Sequence, residues 1–224
     1  MAQVYSHLGS GAEIGLAAVH AAFADGGPPD PQPIWARWNA KAPEAMASDF
    51  VEADDRYLAA VEALDDATRE RLRVPFHLDR VDLGTYLTLR LTEHTLHNWD
   101  VRVAFDPGAT LAAPALPLLI AVLLSGVAQV SDRQTADRLA PAELVISTVE
   151  PDGRYLLTID EGVSLRLLEE GQAAASRATG RLELPTEALM RLVSGRLDPE
   201  HTPDRAVAAG RPTLDDLRLL FPGY

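Results

Sequence analysis

The chain has 224 residues, 47% hydrophobic and 24% charged, a globular composition that excludes wholesale disorder and suffices for one large or two modest domains. Acids outnumber bases 33 to 20, giving a formal charge of −13, so a nucleic acid or an anionic membrane surface would be repelled. Cysteine is absent, which excludes a disulfide, thiolate-ligated zinc and a protein thiol nucleophile, and Lys41 is the sole lysine, which argues against Schiff-base chemistry.

Apolar residues recur at helical spacing up to about residue 140, and short alternating runs with turn signals follow. The spacing predicts a first helix from about Ala2 to Ala24, stopped by Gly26-Gly27-Pro28-Pro29. A short helix is expected around Trp35 and Trp38, then a long amphipathic one from about Pro43 to Arg73. The next runs from Asp82 to Ala104, with Asp82 as N-cap and Pro107-Gly108 beyond its end. Pro114 to Gln129 is the apolar helix. The surrounding stretch from Ala112 to Val130 carries two prolines, Ser125 and Gln129 and is barely long enough to cross a bilayer, so it reads as buried core. No basic residue precedes Arg37, so no secretory signal is expected and the chain reads as cytoplasmic.

The second half opens with a hairpin, Leu144 to Val149 and Arg154 to Ile159, turning at Pro151-Asp152-Gly153. Val163 to Leu167 and Ala178 to Leu184 are further expected strands. Pro185 opens a helix through about Ser194, and Thr213 with Asp216 opens a last helix that Pro222 ends. No internal repeat is visible. The expected fold class is α+β: a helical bundle over residues 1–135, then a small α+β domain over 140–224.

The chemistry gathers in Arg90-Leu-Thr-Glu93-His94-Thr-Leu-His97-Asn-Trp99-Asp100. Glu93 and His97 are four apart and share a helix face, with Arg90 a turn before and Asp100 a turn beyond. Leu89, Leu96, Trp99 and Val103 make the opposite side apolar enough to pack, so the polar stripe also faces the bundle. A buried carboxylate and imidazole need a partner, and a divalent metal satisfies both. His94 competes as a ligand, but it lies about 100° around the helix and points to a neighbouring helix or to solvent. His7 supplies a third ligand: Val4, His7, Gly11, Ile14 and Ala18 form one stripe, which puts His7 on the core-facing side, while small Gly11 leaves room for a neighbour and His20 points away. Two histidines and a glutamate leave an open coordination position, the arrangement of a catalytic metal site. The same residues also suit an exposed hydrogen-bonded pair and a core histidine.

The segment from Val4 to Glu13, Val-Tyr-Ser-His-Leu-Gly-Ser-Gly-Ala-Glu, resembles the first metal-binding helix of the mycothiol-dependent maleylpyruvate isomerase family, within the DinB-like superfamily. Glu93 to Asp100 resembles that family's second metal motif. In the tail, Gly180-Arg181-Leu182-Glu183-Leu184, the helix reaching Ser194-Gly195-Arg196, and Gly210-Arg211-Pro212-Thr213-Leu214 resemble its sterol-carrier-like C-terminal domain. The resemblance implies a DinB-like four-helix bundle with metal at His7, Glu93 and His97. Family members carry a longer stretch with a Gly-Trp before the first histidine, whereas here Met1 stands six residues ahead of His7, which puts substrate contacts from that region in doubt.

The resemblance further implies a zinc site holding a low-molecular-weight thiol such as mycothiol as its thiolate, for cis–trans isomerisation or thiol transfer on a small molecule. Mixed His/Glu ligation suits zinc, and also nickel or iron. Arg90 and Arg196 are candidate partners for a carboxylate of substrate or thiol, and Asp100 is a candidate to orient His97. Two other readings stay open: a metal hydrolase with Asp100 as base, and a non-catalytic module that binds metal or a small ligand.

Overall fold

The computed structural model describes residues 1–169 and 178–223. These fall into two units, Met1–His97 and Asn98–Tyr224, divided within one helix. No helix among the described residues is long and apolar enough to cross a membrane.

The first unit contains α1 (Ala2–Phe23), α2 (Gln32–Asn39), α3 (Pro43–Glu62), α4 (Asp66–Arg71), the hairpin β1 (Arg73–Phe76) and β2 (Asp79–Asp82), and most of α5 (Leu83–Val103). Its core joins Ala12, Ala18 and Val19 of α1 to Trp38, Ala53, Tyr57, Val61, Leu72, Val74 and Leu83. The packed face of α1 is mostly small residues, Ser6, Gly9, Ser10, Ala12, Gly15 and Ala18, with Leu8 and Val19 as its larger members. A Cβ on Gly9 would run into the Trp38 ring, and one on Gly15 would lie 3.0 Å from the Tyr57 ring. Two large aromatic side chains are therefore buried where α1 presents almost no side chain of its own.

Two expectations change in this unit. The stretch from Pro43 to Arg73 is two helices, because Asp65 accepts a hydrogen bond from the Thr68 backbone and starts α4 after α3 has ended. Between Arg73 and Asp82 the chain forms a hairpin that periodicity does not reveal, with four-residue strands and a turn holding His77 at positive φ. Asp82 caps α5 as expected, accepting from the Thr85 backbone at 2.8 Å.

The second unit holds the end of α5, a 3-10 turn at Ala113–Ala115, α6 (Leu116–Gly126), α7 (Arg133–Leu139), β3 (Ala142–Val149), β4 (Gly153–Ile159), β5 (Val163–Leu167), β6 (Gly180–Pro185), α8 (Thr186–Val193), β7 (Val207–Gly210) and α9 (Leu214–Leu220). The five strands lie in the order β5-β4-β3-β6-β7, with β3 and β6 parallel and the other neighbours antiparallel. Alternation along β3 buries Ala142, Leu144, Ile146 and Thr148 on one face. Leu157, Ile159, Leu182 and Leu184 are buried with them, and every residue of α8 is buried. The hairpin, β5, β6, α8 and the Thr213–Asp216 capping box follow expectation; α7 and the edge strand β7 are additions. The whole is α+β.

Within α8, buried Arg191 is fully engaged. Its Nε and Nη2 each donate to the Glu187 carboxylate at 2.8 Å, its Nη1 donates to the His201 carbonyl, and its guanidinium lies over the Trp99 ring. A charge at 3% exposure is tolerable only with such complete pairing.

Candidate functional site

Three side chains from two helices converge in the first unit. His7 comes from the second turn of α1, and Glu93 and His97 come from successive turns of α5. His7 Nε2 lies 2.7 Å from Glu93 Oε2, and His97 Nε2 lies 3.6 Å from the same oxygen. The two imidazoles meet edge to face with centroids 4.8 Å apart. One nitrogen or oxygen from each residue falls within 4.8 Å of the others. That donor set, two imidazoles and a carboxylate able to close on one point, fits a divalent cation of borderline softness and leaves room for an exogenous ligand.

The site is graded in exposure: the His7 side chain is 52% exposed, Glu93 31% and His97 17%. The expectation that His7 lies on the core-facing side of α1 is corrected. It is exposed, on the rim of a buried face that follows Ser6, Gly9, Ala12 and Val19; of the expected stripe Ala18 is in the core, while Val4, Gly11 and Ile14 are only half-buried. Small polar and glycine positions, Ser6, Gly9 and Ser10, share the buried face with Leu8, so apolar spacing alone misplaces its edge. Burial opposes ionisation of Glu93, but hydrogen bonds from His7 and His97, with the attraction of both rings, hold its carboxyl well below the ordinary carboxylate range.

Arg90 does not sit in open solvent. Its Nη2 donates to the Leu8 carbonyl at 2.6 Å and to Asp54 Oδ1 of α3 at 3.1 Å, with the side chain 12% exposed. The room that Gly11 leaves is taken by this guanidinium, since an added Cβ would lie 2.6 Å from Arg90 Nη1. His94 turns to α3, as expected from its position around the helix, and reaches Asp54 Oδ1 at 3.2 Å and the Phe50 ring. Burial, then the Arg90 charge, lowers its pKa, while Asp54 pulls the other way. Asp54 gave no signal in the sequence, where it is one of several acids on α3.

Asp100 and Arg196 belong to the second unit and pair with each other there. Arg196 Nε and Nη2 donate to the two carboxylate oxygens of Asp100 at 2.7 and 2.9 Å, and its Nη1 donates to the Ser194 carbonyl. The arrangement is bidentate and partly buried.

Residues 1–102, which include all three converging side chains, match the family model described as the mycothiol maleylpyruvate isomerase N-terminal domain. The match ends at residue 102 and so covers a little under half of the 224-residue chain. The crystal structure of the mycothiol-dependent maleylpyruvate isomerase resembles the chain with a TM-score of 0.57 and 16% identity, covering 95% of this chain and 79% of that one. The crystal structure of a histidine-to-alanine mutant of the isomerase matches with the same TM-score and coverage at 15% identity. At such identity the likeness shows a shared fold, extending through both units. No curated protein matches the chain.

Proposed function

We propose that His7, Glu93 and His97 hold a divalent cation of borderline softness such as zinc, and that the chain uses a low-molecular-weight thiol there to isomerise or conjugate a small unsaturated or electrophilic acid. The observation that carries this reading is the meeting of His7 with Glu93 and His97 across two helices, inside the region that matches the isomerase family model. The solved protein of the same fold is, by its name, a mycothiol-dependent maleylpyruvate isomerase.

Bound together, cation and thiol supply a sulfur nucleophile, because a cation lowers a coordinating thiol's pKa until it is a thiolate, able to add to an activated cis double bond or attack an electrophile. The chain's own residues do the rest. Glu93, kept ionised by its two imidazole neighbours, contributes the negative charge that offsets part of the cation's charge. His97, the least exposed of the three, anchors the inner side of the site, while exposed His7 leaves the outer side accessible to a small molecule. The absence of cysteine agrees with a nucleophile supplied from outside. Arg196 and Asp100 satisfy each other in a bidentate pair within the second unit.

The test is turnover of a maleyl-type acid by zinc-loaded protein with and without mycothiol. Thiol-dependent cis–trans conversion, or conjugation of an electrophile, bears the reading out. Turnover that ignores the thiol points instead to hydrolytic chemistry, and metal binding without turnover to a non-catalytic module.

A further inference from the structure

His7 is half exposed, and besides the edge-to-face contact of its ring with His97, the ties that join its stretch of α1 to α5 are polar. One turn before Glu93, Arg90 reaches from α5 to the carbonyl of Leu8, the residue that follows His7, and at the same time to Asp54 of α3. Asp54 also receives His94 at 3.2 Å, so its one carboxylate takes two side chains from successive turns of α5. The guanidinium passes α1 over Gly11, where no Cβ obstructs it. α1, α3 and α5 are thereby tied together immediately beside the three converging donors.

We infer that Asp54 and Arg90 are positioning residues that fix His7 against Glu93 and His97, and so set the affinity of the cluster for a divalent cation. The inference rests on the metal-site reading above. Donors held in place before binding lose less conformational freedom when the cation arrives, so a loosened tie appears as weaker binding rather than as a lost ligand. Asp54 touches none of the three donors among the contacts described, and a motif search has no reason to find it.

Gly11→Ala separates this role from a purely structural one. The new methyl meets only the far end of the Arg90 side chain, which is flexible, and alanine is a better helix former than glycine. The variant therefore gains helix propensity while displacing the guanidinium from the Leu8 carbonyl and Asp54, and melting reads the net effect on the fold apart from metal affinity. Asp54→Asn is the second variant, since it keeps the side-chain shape and removes the charge.

The experiment is a Co2+ titration of wild type, Gly11→Ala, Asp54→Asn and the double variant, read by the visible absorption of the bound ion, with circular dichroism melting of the metal-free proteins. Each single variant is expected to lose roughly tenfold in affinity, the low end for partners outside a metal's direct ligands. The double variant should lose little more, because both changes act on the Arg90–Asp54 pair, and the metal-free Gly11→Ala protein should still melt as a folded protein. Wild-type affinity in both single variants overturns the inference and leaves the metal site standing. Failure of the wild type to bind Co2+ overturns the metal site and the inference with it.

Discussion

The imidazole of His7 lies 2.7 Å from the carboxylate of Glu93, although 86 residues separate them in the chain. His97 approaches the same oxygen from one turn further along α5. Replacing Glu93 by glutamine keeps the shape and removes the charge that both imidazoles face. Cation affinity is expected to fall by more than the roughly tenfold typical of an outer partner, with the helical circular dichroism unchanged. Equal affinity in the variant, by calorimetric titration, would remove Glu93 from the ligand set.

Gly9 and Gly11 are two residues apart on α1 and should respond unequally, Gly9 far more severely. Gly9 faces the Trp38 ring, which has 0% exposure and nowhere to move, whereas Gly11 faces the flexible end of Arg90. Gly9→Ala is expected to cost about 1–3 kcal/mol, the range for overpacking a filled core. Urea unfolding of the two alanine variants side by side checks this; equal stabilities would contradict it.

The Glu187–Arg191 pair in the second unit is buried and fully hydrogen-bonded. Glu187→Ala leaves the Arg191 charge with a backbone carbonyl and an aromatic ring but no anion. The expected loss is about 3–5 kcal/mol, as for breaking other buried pairs from one side. A loss below about 1 kcal/mol in denaturant unfolding, the level of an exposed pair, would show that water reaches the guanidinium.

At α9, Thr213 and Asp216 exchange hydrogen bonds in a capping box. Thr213→Ala should cost about 1 kcal/mol near neutral pH. The Thr213 backbone N–H, then its hydroxyl, hold the Asp216 carboxyl below its ordinary value. A lowered carboxylate pKa means that its contribution is present above the ordinary carboxylate range and lost as pH falls through the lowered value. The cost of Thr213→Ala should therefore shrink in strong acid, which melting curves at the two pH extremes would reveal. A cost that stays constant with pH would mean the bond from the Thr213 hydroxyl to the carboxylate adds nothing to the cap.

Local patterns made part of this molecule legible. The i, i+4 spacing of Glu93 and His97 puts them on one helix face whatever the rest of the chain does, and alternation with Pro151-Asp152-Gly153 reveals the β3–β4 hairpin. What stayed hidden depends on partners far away in sequence. On α1, Trp38 and Tyr57 pack against Gly9 and Gly15, so part of the buried face carries no side chain for apolar spacing to register. Asp54 acquires its place only when α3 meets α5. The β1–β2 strands are four residues long, too short for alternation to register, and the parallel pairing of β3 with β6 is a non-local contact with no turn to announce it.

The central claim is that His7, Glu93 and His97 share one cation, and the most direct measurement is the metal content of the protein purified without added metal, wild type against His97→Ala. The expected result is about one zinc or similar divalent ion per wild-type chain and little in a folded His97→Ala. An unchanged metal-to-protein ratio in the variant, or none in the wild type even after incubation with zinc, would contradict it.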